Sequence, residues 1–190
     1  MKNLIFFFLF ISSTPNIFSQ SIFGGKKEFI YGKMVGRSDT LIGYFWFDNQ
    51  ITQNGQTVQF KEDLNSDTKK TFQSRHYDYF ESDGIYLETF GAIPTISGDV
   101  LIMIPRIING KIQLFENKFK WGYFNAFKSE KFFLKKGWNK ERVKKKNFKD
   151  LMQRYVGDDK SLMEKIEKNE LKYDDLVEIV TIYNNNHPYN

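Results

Sequence analysis

The hydrophobic periodicity of this chain changes once, directly after Lys146. Upstream, aromatic and branched apolar residues recur at every second position, the period of a strand with one buried face. Downstream, the i, i+3, i+4, i+7 spacing of an amphipathic helix is carried by Phe148, Leu151, Met152 and Tyr155. A run of strands before a run of helices predicts an α+β fold. We expect a curved antiparallel sheet or partial barrel of roughly eight strands, followed by three short C-terminal helices.

The strand predictions cover most of residues 27–146. Aromatic residues make up 17% of the chain, and Phe and Tyr favour strands. Asn109 and Gly110 predict the clearest hairpin turn, because both residue types accept a positive φ. Pro105 cannot donate a ladder hydrogen bond and predicts an edge or a bulge at its end of a strand. The predicted strands are 28–35, 40–47, 57–60, 76–81, 85–90, 99–108, 111–115 and 130–135, with a short closing strand at 142–143.

Three amphipathic helices are predicted in the tail, at about residues 147–186. Asn147 is expected to cap the first helix, and Asp158 or Asp159 the second. The third is predicted from the apolar positions between Tyr173 and Tyr183. Because all three have an apolar face, the tail is expected to dock on the sheet and form a single domain, 20–190, with it.

The first residues, MKNLIFFFLFISSTPNIFSQ, have the pattern of a secretory signal peptide. Lys2 supplies the positive start, residues 4–11 are an unbroken apolar run, and cleavage is expected near Ser19. A membrane anchor is the alternative, but a spanning helix needs about 20 apolar residues. We therefore expect residues 1–19 to be a signal peptide and the product to be periplasmic or extracellular, without a transmembrane segment.

The sequence contains no cysteine. We therefore expect the fold to be stabilised by the burial of apolar side chains, without the disulfides that exported proteins often contain. The absence excludes cysteine-ligated zinc, thiol nucleophiles and thiol redox motifs. The residues after the leader are enough for one domain of ordinary size.

Four segments follow the predicted signal peptide in this order: SDTLIGYF, NGKIQLFEN, EKFFLKKG and a helical tail that ends in IVTIYN. This outline resembles a broad group of exported β-rich proteins of unknown function from Bacteroidetes, which carry a signal peptide and a C-terminal helical tail. The resemblance implies export, a β-rich body with a helical tail, and a role in the cell envelope. It implies no catalytic residues.

The sequence contains no nucleophile elbow, P-loop or H-E-x-x-H motif. His76 and Asp78 stand two apart in a predicted strand and would share a face. Such a pair can orient a proton shuttle or contribute to a metal site, although alternating polar positions are ordinary on a surface strand. We predict no catalytic residue, no metal and no cofactor, and keep a hydrolase that uses carboxylates or His76 as an alternative.

Lys144, Lys145 and Lys146 are the first candidate binding residues. They lie at the predicted junction of strand and helix, where lysines form a solvated loop that also discourages edge pairing. Alternatively, the three lysines bind an acidic partner together with nearby cations. These are Lys135, Lys136, Lys140, Arg142, Lys149 and Arg154.

Trp121 and Tyr123 are the second candidate binding residues. Exposed aromatic rings can stack on sugars, whereas buried ones form core. Together the features predict a non-catalytic envelope-associated or secreted module that binds an envelope protein or an anionic polymer, with no nucleic acid expected. The alternative is a protein that holds a small ligand or glycan on the curved sheet. That alternative requires space among aromatic side chains, since a filled sheet interior would exclude it.

Overall fold

The computed structural model describes residues 28–52, 55–95, 98–117 and 132–189. These residues form one antiparallel sheet of ten strands followed by three helices, which confirms the α+β class. The sheet is curved and does not close on itself. Among the described residues, no helix has both the length and the apolar composition needed to cross a bilayer.

The strands are longer than the sequence predicts at several ends. They are β1 (Ile30–Gly36), β2 (Thr40–Thr52), β3 (Gly55–Lys61), β4 (Lys70–Gln73), β5 (Tyr77–Ser82), β6 (Ile85–Thr95), β7 (Gly98–Ile108), β8 (Gln113–Glu116), β9 (Phe132–Lys136) and β10 (Asn139–Val143). The helices are α1 (Phe148–Val156), α2 (Lys160–Glu167) and α3 (Leu176–Asn186). Short 3-10 turns lie at Ser74–His76, Lys145–Asn147 and Tyr173–Asp175.

The strand order is β10-β9-β8-β7-β6-β5-β1-β2-β3-β4. Sequence neighbours pair except at one place, where the chain returns from β4 and adds β5 to the free side of β1. The return segment is tied to β7, because Ser74 Oγ donates to the Leu101 carbonyl at 3.4 Å. Gly55 also lies against Leu101: a β-carbon there would be 2.8 Å from the same oxygen, at a φ of +106° that favours glycine. These contacts bring β3 close to β7, although the two strands are not neighbours in the sheet.

Alternation along the strands sends side chains into three apolar clusters. In β9, Phe132 and Leu134 face the helices, while Phe133 faces the opposite side. The first cluster lies inside the curve of the early strands and contains Met34, Phe45, Phe47, Val58, Phe60, Tyr77, Phe80, Leu87 and Met103. The second contains Phe90, Val100, Ile102, Ile104, Phe115 and Phe133. The third joins β8, β9 and β10 to all three helices.

The tail docks through apolar contacts and through one amide. Asn184 in α3 accepts from the backbone N–H of Ile112 at 2.9 Å and donates to its carbonyl at 2.8 Å. Ile112 is thereby drawn out of the strand ladder and buried against the helices. The hairpin predicted at Asn109 and Gly110 is confirmed, since β7 pairs with β8 across residues 109–112. Its loop differs in detail: β8 begins at Gln113, and Gly110 but not Asn109 has a positive φ. The bulge predicted from Pro105 is confirmed as a register shift between Arg106 and Ile108.

Asp159 is the residue that caps α2, one of the two predicted. Its carboxylate accepts from the backbone N–H of Leu162 at 3.0 Å and from Asn186 Nδ2 at 2.8 Å. The Asn186 bond and then the Leu162 bond hold the pKa of Asp159 below its usual value. The cap therefore joins the start of α2 to the end of α3.

Asp159→Ala is expected to lower the free energy of unfolding at pH 7 by about 1–2 kcal/mol, because both helix ends lose an acceptor. The lowered pKa makes this stabilisation complete above the unfolded value of about 3.9, and it is lost as the pH falls through the folded-state pKa. The difference between native protein and variant should therefore shrink below about pH 4. Urea titrations across this pH range measure it.

Two further variants serve as controls for that experiment. Asp159→Asn keeps a capping oxygen and should retain most of the stability at pH 7 without the acid dependence. Asp67→Ala changes an exposed aspartate and should cost at most a few tenths of a kcal/mol. An Asp159→Ala variant as stable as Asp67→Ala would show that the cap contributes nothing.

Candidate functional site

The lysine triplet lies where β10 meets α1, as predicted, but its members do not act together. Lys144 is half-buried, while Lys145 and Lys146 are exposed. A depression of about 350 Å³ opens between the start of α1 and residues 169–173. Four lysines line it, and we call them the lysine groove: Lys145, Lys146, Lys149 and Lys172.

The ammonium groups of the groove are only weakly engaged. Lys145 Nζ lies 3.3 Å from Asp174 Oδ2, but the two side chains are 70% and 79% exposed, so the pair contributes little. Lys149 Nζ donates to the Glu167 carbonyl at 3.1 Å. Within the described residues, neither Lys146 nor Lys172 forms an ion pair. Two of the four cations therefore remain open to an external anion.

The wider basic patch considered from the sequence is not assembled. Each flanking cation other than Lys149 binds an acceptor within the chain, outside the groove. Lys135 and Lys140 bind Glu88, Lys136 binds the Tyr155 carbonyl and the Tyr183 hydroxyl, Arg142 binds Asp99, and Arg154 binds Glu141. Only Lys149 joins Lys145 and Lys146. Lys172, distant in sequence, was not predicted, because it reaches the groove through the return of the chain after α2.

The other candidate binding residues, Trp121 and Tyr123, lie outside the described residues, as does the segment 1–19 that the sequence predicts to be a signal peptide. Aromatic side chains occupy the interior of the described sheet, where the ligand-binding alternative requires space. Phe45, Phe47 and Phe80 fill it and are almost completely inaccessible to solvent.

His76 does not share a strand face with Asp78, so that prediction is wrong. His76 ends the 3-10 turn that precedes β5, and Asp78 is the second residue of the strand. The turn forms because Ser74 is anchored to β7. Arg75 Nε donates to His76 Nε2 at 3.4 Å. Among the described residues there is no group of three or more His, Asp or Glu side chains that could hold a metal ion.

The sequence did not predict a charge cluster centred on the buried side chain of Glu88. The Glu88 carboxylate accepts from Lys135 Nζ at 2.7 Å and 2.9 Å, and Lys140 Nζ lies 2.5 Å away. Tyr86 donates its hydroxyl to Glu88 at 3.2 Å, and the Arg106 guanidinium stacks on the Tyr86 ring at 4.0 Å. Burial, followed by the Glu88 charge, raises the pKa of Tyr86, so its hydroxyl stays protonated. The cluster ties β6 to β9 and β10.

No family model, curated protein or solved structure gives a significant match to this chain. The geometry of its own side chains is therefore the basis for assigning a role. Three concavities on the described surface are lined by several charged side chains, and the lysine groove has the largest excess of cations among them. Four lysines surround it with Asp150 as the single lining carboxylate.

Proposed function

We propose that the protein is an exported, non-catalytic binding module that holds an anionic envelope protein or polymer in the lysine groove. The observation that carries this proposal is the convergence of four lysines from two chain segments around one depression. Like charges brought together repel one another. An anion in the groove relieves that repulsion, and the open Lys146 and Lys172 are the residues best placed to bind it.

The chemistry of the groove favours an extended anion over a small, geometrically defined one. Lysine is a point charge on a flexible stem and does not impose the planar geometry of a guanidinium. Tyr173 and Leu171 add an apolar part to the lining. A polyanionic segment, or an acidic protein surface with some apolar area, complements both properties. The leader and the resemblance to exported proteins support an envelope location.

A charge-reversal variant, Lys146→Glu with Lys172→Glu, tests the proposal. Binding to immobilised dextran sulfate should weaken at least tenfold, because two attractive contacts become repulsive. The binding of native protein should fall steeply with added salt, since the lysines are exposed. Crosslinking to native envelope fractions with the same variant should lose the partner that the native protein captures.

The matched control reverses two exposed lysines of α2 that lie outside the groove, Lys160→Glu with Lys165→Glu. Both double variants change the net charge by the same amount. If both weaken binding equally, net charge and not the groove determines it, and the proposed site is wrong. Thermal unfolding of both variants checks that the fold is intact.

A further inference from the structure

A second concavity lies at the turn between β1 and β2. Its volume is about 690 Å³, within the range of ligand-binding pockets. The turn supplies Arg37 and Asp39, the 3-10 turn and β5 supply Arg75 and Asp78, and β10 supplies Lys140 from the far side. We call it the turn cleft. It is not part of the lysine groove and shares no residue with it.

The walls of the turn cleft are fixed by hydrogen bonds within the chain. Tyr77 donates its hydroxyl to Asp39 Oδ2 at 3.2 Å, which ties the β1–β2 turn to β5. Thr89 Oγ1 donates to the Tyr77 carbonyl at 2.7 Å, and Lys140 Nζ donates to the Thr89 carbonyl at 3.3 Å. The cleft is thus largely preformed, which reduces the ordering that a ligand would impose.

Groups of opposite charge in this cleft remain without a bond to one another. Arg37 and Asp78 are exposed, and neither has a side-chain partner among the described residues. Lys140 and Asp39 are already engaged, with Glu88 and Tyr77. Leu101, 37% exposed, adds an apolar surface to the lining. The available groups are therefore hydrogen-bond donors and acceptors beside one apolar contact.

This combination matches a sugar that carries an acid. A sugar hydroxyl both donates and accepts, so a polyhydroxyl ligand can satisfy the Asp78 carboxylate and an arginine at the same time. The guanidinium fork of Arg37 suits a carboxylate, which it binds through two parallel hydrogen bonds. The apolar C–H face of a sugar ring can lie on Leu101. We propose that the turn cleft binds an oligosaccharide that contains a uronic acid.

The test is calorimetric titration of the full chain with trimers of galacturonic, glucuronic and mannuronic acid, each also as its methyl ester. At least one acid trimer should bind, and its ester should bind at least tenfold more weakly, because the ester lacks the negative charge and the paired carboxylate oxygens that Arg37 would bind. Arg37→Ala should weaken binding of the acid by about tenfold or more, the loss of a charge-assisted contact. Asp78→Ala should weaken binding of both acid and ester.

The groove variant, Lys146→Glu with Lys172→Glu, separates this site from the lysine groove and should bind the acid trimer normally. Loss of binding in that variant, with Arg37→Ala unaffected, would place the sugar in the groove and overturn the cleft assignment. Equal binding of acid and ester, or no binding of any trimer, would overturn it as well. Arg37→Ala and Asp78→Ala should melt at the native temperature, because both side chains are exposed and unpartnered.

Discussion

Truncation of Phe80 to alanine is expected to lower the free energy of unfolding by about 4 kcal/mol. Phe80 is completely buried, and its ring packs at centroid distances of 5.2 Å from Phe45 and 5.0 Å from Phe47. The ring also covers Gly32, where a β-carbon would lie 2.6 Å from ring atoms. The cavity left by alanine is bounded on that side by the backbone of Gly32. Neighbouring side chains can therefore fill it only in part.

Urea denaturation of the native protein and the variant measures this loss. Trp138→Ala is the matched control, because it also removes a large aromatic ring, but one that is 98% exposed. The control should change the free energy of unfolding by no more than about 0.5 kcal/mol. A loss of stability below about 1.5 kcal/mol for Phe80→Ala would contradict this expectation. It would mean that the curved sheet can deform enough to fill the cavity that the missing ring leaves.

Sequence patterns predicted those elements that local physics determines. The four apolar residues that predicted α1 are all buried against the sheet: Phe148, Leu151, Met152 and Tyr155. In β2, Phe45 and Phe47 point into the core while Tyr44 and Trp46 are only half-buried, so the period of two was reliable even in an all-aromatic run. Such patterns depend on which face of an element is buried, and they need no knowledge of the partner.

The failures have long-range causes. The hairpin at Asn109 and Gly110 forms with a longer loop than predicted. In that loop, Asn184, more than 70 positions away, binds both backbone groups of Ile112. Strand β4 was missed because its KTFQ sequence is mostly polar and it pairs only with β3, at the edge of the sheet. The contact of Asn184 cannot be read from the residues around Ile112, and the sequence of β4 is too polar to show the alternation of a strand.

For the candidate site too, the sequence predicted what is local and missed what depends on distant partners. Lys145 and Lys146 were found because a run of cations is visible in the sequence. A patch with their flanking cations was the alternative to a solvated junction, yet most of these cations bind acceptors from distant strands, as Lys135 does with Glu88 and Arg142 with Asp99. Charge density along a sequence therefore overstates the charge that a surface presents, because it does not show which cations are already paired.

Glu88→Ala is expected to lower the free energy of unfolding by about 3 kcal/mol, toward the low end for removal of one partner from a buried ion pair. Lys135 and Lys140 side chains are only 19% and 35% exposed, and the variant would leave both without their carboxylate. The Tyr86 hydroxyl would lose its acceptor too. The loss stays below the largest known values because lysine stems can swing toward solvent.

Chemical denaturation of Glu88→Ala beside Glu62→Ala separates a buried carboxylate from an exposed one. Glu62 pairs with Lys70 at 2.8 Å, but both side chains are mostly exposed, so its removal should leave the free energy of unfolding almost unchanged. Glu88 joins β6 to β9 and β10, which are not its neighbours in the sheet. Amide hydrogen exchange should therefore accelerate in β9 and β10 of the Glu88 variant and not of the Glu62 variant. Unchanged exchange there would mean that the strand ladder and the helices alone hold this edge of the sheet, and that Glu88 only neutralises the two lysines.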